Sequence, residues 1–389
     1  MTIAERRMER MLGSVAHVFD WFRDGPYERH KADPGIADFT FGNPQELPLP
    51  GLVDTLQRNA VPQDKDWFAY KFSEPEPQRV VADSLRRRTG IAFRPEDVAL
   101  TAGAFGALGV TIRALCDVED EVIFLSPPWF FYELMIVSSG ATPVRVRLQA
   151  PDFDLDPDAI AAAITPRTRA IIVNSPNKPT GRIYREPELA ALGRVLEAAS
   201  GRHGRPIVLI SDEAYNRIVF DGIEYHSPAL DYAATMTIYT YGKTLLAPGQ
   251  RIGYAAMSPG FPDRESMAYR MMVQQVASGW GFPNALLQHA IADLEELSVD
   301  VGALQARRDR MVPALTEMGY EVTRPEGTFY AMVRSPDPDD VAFTARLAEM
   351  GALVLPGSIV ESPGWFRLSL TASDEMVERG LEVFRTAIA

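Results

Sequence analysis

The sequence predicts an α/β fold with a large domain, whose mostly parallel sheet is flanked by helices, and a smaller α+β domain. Short, nearly continuous apolar runs alternate with longer helical patterns through most of the chain. Strands that helices cover on both faces have apolar runs of this kind. Beyond about residue 284 the alternation gives way to short strands among helices. The change of pattern indicates the second domain.

The predicted strands of the large domain are Val98–Leu100, Glu121–Leu125, Arg169–Val173, Pro206–Ile210 and Thr235–Tyr239. The predicted helices among them are Gly106–Cys116, Pro157–Ile164 and Glu186–Ala199. A strand that alternates with a helix is typical of a parallel sheet. Ligands of such sheets bind beyond the carboxyl ends of the strands. We therefore expect a binding site at that edge.

The second domain is predicted to begin with one long helix over about Asn284–Met318. The elements predicted after it are strands Thr328–Val333, Leu353–Pro356 and Phe366–Leu370, and helices Asp339–Met350 and Asp374–Ile388. We expect the N-terminal stretch up to about Pro44 to pack against them. The predicted division is a large domain over residues 45–290 and a small domain of residues 1–44 with 291–389.

Composition narrows the classes of partner. The chain has 389 residues and a formal net charge of −13, which argues against nucleic acid or an anionic membrane as a partner. Cys116 is the single cysteine, so no intrachain disulfide can form. The N-terminus carries charges throughout, and no run of eighteen apolar residues occurs. These features predict a cytoplasmic protein without a membrane span. The five histidines are scattered, and we expect no metal site.

Four motifs follow predicted strands. Residues 101–108 (TAGAFGAL) lead into a helix whose free N–H groups suit a phosphate, although a plain tight connection would look the same. Residues 126–132 (SPPWFFY) offer aromatic rings that either stack on a flat ligand or pack in the core. Residues 174–181 (NSPNKPTG) form a rigid polar turn. Residues 211–215 (SDEAY) place the half-buried Asp212 either as a helix cap or against a protonated ring nitrogen.

Two basic segments complete the pattern. Residues 240–254 (TYGKTLLAPGQRIGY) hold Lys243 at a strand end and Arg251 eight residues later. A buried lysine loses its proton readily and can form an imine with an aldehyde. Arginine binds phosphate through two parallel hydrogen bonds. Arg367 stands in an otherwise apolar strand, either turned to solvent or as a clamp for a carboxylate.

In this order the motifs resemble the class I and II aminotransferases, the fold-type I pyridoxal-phosphate enzymes typified by aspartate aminotransferase. The resemblance runs from Gly42-Asn43-Pro44 to Arg367. It implies that Lys243 binds pyridoxal 5′-phosphate as a Schiff base and shuttles the substrate proton. It implies further that Asp212 pairs with the ring nitrogen, Tyr215 donates to the phenolic oxygen and Trp129 stacks on the ring.

The remaining roles that the resemblance implies concern the phosphate and the substrate. The expected phosphate contacts are Gly103, Ala104, Phe105, Thr240 and Arg251. Tyr70 is similar to the tyrosine that reaches the phosphate of a neighbouring subunit, which implies a homodimer. Arg367 and the Gly42 segment are expected at the substrate α-carboxylate.

Two positions depart from the family pattern. Lys178 stands before Pro-Thr-Gly, where the family usually has an asparagine that donates to the phenolic oxygen. Either its ammonium pairs with the phenolate, or it turns away and Asn177 or Tyr215 covers that oxygen. A paired Lys178 would lower the pKa of the Schiff base, since an adjacent cation favours the phenolate. Gly242 replaces a frequent serine and removes one possible phosphate contact.

The expected reaction is transamination, in which an L-amino acid and a 2-oxo acid exchange an amino group by a ping-pong mechanism. Residues 273–282 contain no basic residue but include Trp280 and Phe282, which predicts a neutral or aromatic substrate, although core packing explains these rings equally well. The same fold also serves lyases and oxidative or cyclising enzymes. A non-catalytic cofactor-binding regulator ranks lower, because no basic DNA-binding module precedes the fold. A Rossmann dehydrogenase would need G-x-G-x-x-G after the first strand, and that motif is missing there.

Overall fold

The structure is a computed structural model that describes residues 3–388. Its strands are β1 Ala37–Asp38, β2 Val98–Thr101, β3 Glu121–Ser126, β4 Thr142–Arg147, β5 Thr168–Asn174, β6 Val208–Asp212, β7 Thr235–Thr240, β8 Gly253–Met257, β9 Tyr330–Arg334, β10 Ala352–Leu353, β11 Leu355–Pro356 and β12 Trp365–Ser369. Its α-helices are α1 Ile3–Asp24, α2 Pro26–His30, α3 Pro50–Asn59, α4 Pro75–Thr89, α5 Gly103–Leu115, α6 Tyr132–Ser139, α7 Pro157–Ala163, α8 Glu186–His203, α9 Tyr241–Thr244, α10 Arg264–Ala277, α11 Ala285–Glu296, α12 Val301–Glu317, α13 Asp340–Glu349 and α14 Asp374–Ile388.

The central sheet has seven strands in the order β2-β8-β7-β6-β5-β3-β4. All neighbours run parallel except β8, which is antiparallel to both β2 and β7. Every residue of β3, β6 and β7 is buried, as expected for strands between two layers of helices. The carboxyl ends of β2, β3, β5, β6 and β7 lie at one edge of this sheet, and the predicted motifs at residues 101–108, 126–132, 174–181, 211–215 and 240–254 begin there.

The C-terminal region contains an antiparallel sheet in the order β11-β12-β9 and a two-stranded parallel sheet of β1 with β10. The N-terminal segment thus pairs with a strand from the far end of the chain. Phe39, just after β1, is fully buried and lies 5.9 Å from the ring of Phe384. The boundaries of the two domains stay a prediction.

Several predicted elements differ from the structure. The long helix over Asn284–Met318 is two helices, α11 and α12, because the amide of Val299 donates to the carbonyl of Thr244 at 2.8 Å and Asp300 caps α12. The strand Leu353–Pro356 divides into β10 and β11, which join different sheets. Elements that were not predicted are β1, β4, β8, α1, α2, α3, α4, α6, α9 and α10. Within residues 3–388, no helix combines the length and apolarity needed to cross a membrane.

Candidate active site

An open cavity of about 640 Å³ lies at the carboxyl ends of the central strands. Nine of the predicted site residues line it: Ala104, Phe105, Trp129, Lys178, Asp212, Tyr215, Thr240, Lys243 and Arg251. The other lining residues are Leu108, Tyr132, Asn174, Ala214, Gly242 and Pro248. The motifs are distant in sequence, and the parallel sheet brings them together because each follows the end of a strand.

Lys243 is held on the short helix α9, directly after β7. The carbonyl of the next residue, Thr244, accepts a hydrogen bond from the amide of Val299, which fixes the end of this helix. Nζ of Lys243 lies 5.7 Å from the ring centre of Tyr215 and 5.9 Å from that of Phe329. The lysine therefore projects into the cavity between two aromatic side chains.

Asp212 ends β6 and is 5% exposed, more deeply buried than the half-buried position that the sequence indicated. Its carboxylate accepts a hydrogen bond from the Tyr132 hydroxyl at 2.5 Å and from the Ala214 amide at 3.3 Å. Its carbonyl accepts from the Asn174 side chain at 2.8 Å. Burial raises the pKa of Asp212, and the Tyr132 hydrogen bond acts in the opposite direction. A positively charged group of a ligand beside Asp212 would stabilise the ionised form of its carboxyl.

The N-terminus of α5 forms the second part of the cavity. Gly103 has a φ of 75°, and its N-cap Ala102 makes no side-chain cap. A Cβ on Gly103 would lie 2.9 Å from Arg251 Nη2 and 3.2 Å from Thr240 Oγ1, so these groups converge on the glycine. Arg251 donates to the carbonyls of Pro248 at 2.7 Å and Ala102 at 3.3 Å. Uncapped helix amides, a hydroxyl and a guanidinium together suit a phosphate.

Lys178 does not turn away. It lines the cavity, and its Nζ lies 4.9 Å from the ring centre of Phe130 and 5.8 Å from that of Trp129. Its amide donates to the Asn174 side chain at 2.7 Å. Asn177 instead accepts from the Thr180 hydroxyl at 2.9 Å within the turn. Of the two alternatives to Lys178 at the phenolic oxygen, Tyr215 is a lining residue of the cavity and Asn177 is not.

Arg367 lies on β12 and is 1% exposed, so it is not turned to solvent. One nitrogen donates to the Thr40 carbonyl at 2.7 Å, while Nε and Nη1 have no partner among the described residues. The guanidinium carbon lies 4.1 Å from the ring centre of Tyr330, whose hydroxyl accepts from the Gly42 amide at 3.0 Å. Burial lowers the pKa of Arg367. A buried cation with two unused donors indicates a site for an anion.

Tyr70 lies outside the cavity. It is 88% exposed, and its ring is 5.0 Å from that of Phe282. Gly242 also has a local explanation, because a Cβ there would lie 3.1 Å from the Pro248 backbone. In the described part of the chain, no group of three or more histidine, cysteine or acidic side chains is arranged to hold a metal ion.

Three residues of the site were missed. Tyr132 and Asn174 were in the quoted motifs, and their polar side chains at strand ends were the available signal. Tyr330 had no sequence signal, because its contact with Arg367 depends on the pairing of β9 with β12. Like Nε and Nη1 of Arg367, the buried Tyr215 hydroxyl has no hydrogen-bond partner within the described residues. A polar ligand such as pyridoxal phosphate would supply the missing partner, so the residues present fit this cofactor.

A family model described as "Aminotransferase class I and II" matches residues 36–384. The aspartate/prephenate aminotransferase of Thermus thermophilus is 33% identical over 359 residues, which cover 90% of each chain. A solved structure of an amino transferase from Eubacterium rectale has a TM-score of 0.86 and 28% identity, and the match covers 100% of this chain and 95% of that one. A mutant of the Thermus thermophilus aspartate aminotransferase has a TM-score of 0.82 and 29% identity, with 98% of each chain covered. The predicted family and fold are confirmed.

Proposed function

This chain belongs to the class I and II aminotransferases, which use pyridoxal phosphate, and from that premise we propose that it moves an amino group between a neutral or aromatic L-amino acid and a 2-oxo acid by a ping-pong mechanism. The observation that carries the proposal is Lys243 in one cavity with Asp212 and the Gly103–Arg251 anion site. When bound, the cofactor supplies an electron-withdrawing ring that stabilises negative charge at the substrate Cα.

The chain's own groups would divide the work as follows. Lys243 attaches the cofactor and carries the proton to and from the substrate Cα. Asp212 keeps the ring nitrogen protonated, and Tyr132 orients that carboxylate. The amides at the start of α5, with Thr240 and Arg251, hold the phosphate. Tyr215 and Lys178 face the phenolic oxygen, and Arg367 takes the substrate carboxylate.

Two lysines line the cavity, so the attachment site needs a direct test. We expect borohydride reduction of the yellow protein, followed by peptide mass spectrometry, to place the cofactor on Lys243. The Lys243→Ala variant should show no label, whereas Lys178→Asn should keep it. A label on Lys178 in the wild-type protein would overturn the assignment.

The aromatic preference rests on a cluster of rings beside the cavity, which we call the aromatic wall: Phe22, Phe41, Phe130 and Phe131. Phe22 of α1 stacks on Phe41 at 5.1 Å and meets Phe130 edge-on at 6.3 Å. Phe131 lies 5.5 Å from Trp129, which lines the cavity. All four rings are half-buried, so a flat apolar side chain would complete their packing. Trp280, 6.0 Å from Phe105, adds to this surface.

The substrate class is tested by steady-state kinetics with phenylalanine and aspartate as donors. We expect kcat/KM to favour phenylalanine by at least about tenfold, because an unpaired carboxylate against aromatic rings costs more than about 1.4 kcal/mol. Phe22→Leu should reduce this ratio of kcat/KM values. Tyr269→Leu, at an exposed ring of α10 outside the aromatic wall, is the control and should leave the ratio unchanged.

The similarity to the aspartate/prephenate aminotransferase of Thermus thermophilus favours a second candidate, a dicarboxylic donor. A higher kcat/KM for aspartate than for phenylalanine would support this second candidate. Parallel double-reciprocal lines would support the ping-pong mechanism. Release of ammonia without transfer to an oxo acid would instead support the lyase alternative.

A homodimer is part of the same proposal. Tyr70, Phe72 and Phe282 are exposed by 88%, 41% and 49%, and their rings lie 5.0 Å apart in two pairs. An exposed aromatic group of this kind marks a protein–protein contact. Light scattering should give twice the 43.0 kDa chain mass, and a monomer would contradict the role of Tyr70.

A further inference from the structure

The short helix α9, which carries Lys243, is held by buried side chains that do not line the cavity. A helix of four residues is too short to be stable by itself, so its geometry depends on tertiary contacts. The hydroxyl of Tyr241 at its start donates to the carboxylate of Glu295. The hydroxyl oxygen of Thr244 at its end lies 2.6 Å from that of Tyr239. Lys243 therefore stands between two anchored residues.

Glu295 is the centre of the anchor at the start of α9. Its side chain, near the end of α11, is 1% exposed and forms an ion pair with Arg217, whose Nη2 lies 2.8 Å from Oε2. The same carboxylate accepts from the Ser84 hydroxyl at 2.5 Å. Burial acts to raise the pKa of Glu295, but the charge of Arg217 and the donated hydrogen bonds outweigh it, so the pKa is lowered. The ionised carboxylate thus accepts from Arg217, Ser84 and Tyr241 together.

Arg217 lies in the segment after β6 and is also buried, with 5% of its side chain exposed. Its guanidinium carbon lies 4.3 Å from the ring centre of Tyr239 and 5.6 Å from that of Tyr241. Nε and Nη1 have no hydrogen-bond partner among residues 3–388, so Glu295 and the two rings are the contacts that orient the guanidinium. The ion pair therefore connects the segment after β6 with the end of β7 and the start of α9.

This ion pair is close in the chain to groups that would hold the cofactor. Residues that belong to it or contact it lie one or two positions from three proposed cofactor contacts, which are Tyr215, Thr240 and Lys243. A buried ion pair adds little net stability, because desolvation offsets the Coulomb attraction, and a fixed geometry is the role that it suits. We propose that Arg217 and Glu295 are positioning residues, which act through Tyr241 to hold Lys243 in the orientation that attachment of the cofactor and proton transfer require. This role depends on the proposed function of Lys243.

Tyr241→Phe and Glu295→Gln, alone and together, test this role on the cofactor-loaded protein. The first keeps the ring and removes the hydroxyl, whereas the second keeps the shape and removes the charge. We expect each change to reduce the visible circular dichroism of the bound cofactor, which reports its orientation. We also expect kcat to fall by about 10-fold or more with a nearly unchanged KM, because a small misplacement of a reacting group has an effect of this size. The double variant should be no worse than the more severe single variant, because both changes break one chain of contacts.

Asp221→Asn is the matched control. Asp221 pairs at 2.6 Å with the fully buried Arg308, and neither residue lines the cavity. Loss of this ion pair should lower the unfolding temperature and leave the dichroism and kcat unchanged.

Unchanged dichroism and kcat in both single variants would overturn the proposal. A double variant whose loss of kcat is the product of the two single losses would also overturn it, as would equal losses in Asp221→Asn. Should Glu295→Gln fail to fold, the dichroism and kcat of Tyr241→Phe decide, because that variant leaves the ion pair in place. A borohydride label on Lys178 would contradict the proposed function of Lys243, whereas a label on Lys243 with unchanged dichroism would contradict the positioning role alone.

Discussion

The hydrogen bond from Tyr132 to Asp212 yields a quantitative prediction for Tyr132→Phe. The oxygens are 2.5 Å apart and buried, which is the short range of a charge-assisted bond. Phenylalanine keeps the edge-on contact with Trp129 at 5.5 Å, so the packing changes little. Asp212 is left with the 3.3 Å contact from the Ala214 amide. The loss of one bond to a charged group costs about 1.5–3 kcal/mol, equivalent to about a 10- to 150-fold weaker hold on the cofactor ring.

The effect of Tyr132→Phe on cofactor binding should also depend on pH in a definite direction. The Tyr132 hydrogen bond lowers the pKa of Asp212 against the larger effect of burial, so its removal raises that pKa further. Less of the carboxylate is then ionised at lower pH. The assay titrates pyridoxal phosphate back into cofactor-free protein across a pH series. We expect the ratio of variant to wild-type Kd to fall as pH rises.

Tyr184→Phe is the matched control, because Tyr184 is fully buried and its hydroxyl has no partner among the described residues. Its Kd should equal that of the wild-type protein. A Tyr132→Phe protein with unchanged Kd, or with a ratio that grows as pH rises, would refute the reasoning.

Two further predictions concern Gly103 and Asp212. Gly103→Ala should weaken cofactor binding, because its Cβ would lie 2.9 Å from Arg251 Nη2 at a φ of 75°, whereas Gly109→Ala in the open middle of α5 should bind normally and unfold at a higher temperature. A normal Kd for Gly103→Ala contradicts the phosphate assignment. Asp212→Asn should raise the unfolding temperature of the cofactor-free protein at pH 7. Folding raises the pKa of Asp212, so the free energy of unfolding of the wild-type protein falls as pH rises from the unfolded towards the folded pKa. The difference in unfolding temperature between variant and wild type should therefore fade towards about pH 4. A lower unfolding temperature of Asp212→Asn at pH 7 would contradict this sign.

Sequence reasoning succeeded where a functional residue follows an apolar strand. Lys243 and Asp212 each stand just after a buried strand, and Arg367 is the charge in an apolar one. Chain order alone places these residues at strand ends, and the parallel sheet then brings the first two together. The α/β fold class followed from the same alternation.

Sequence reasoning failed where a contact depends on the order of the strands within the sheet. Tyr132 follows β3 and meets Asp212 of β6, although β5 lies between the two strands. Nothing local distinguishes Tyr132 from its aromatic neighbours. The break between α11 and α12 is similar, since the amide of Val299 leaves the helical pattern for the carbonyl of Thr244. Such tertiary bonds override a local periodicity.

The charge of the site runs against that of the chain. The protein has a net charge of −13, yet Lys178, Lys243 and Arg251 line the cavity with Asp212 as their acidic companion, and Arg367 lies beside them. The proposed function, which requires binding of a phosphate, a phenolate and a carboxylate, would need this local excess of cations. The low-dielectric walls of a cavity concentrate the field of such charges, whereas charges exposed at the surface are screened by salt. The arrangement therefore suits anionic ligands although the protein as a whole is acidic.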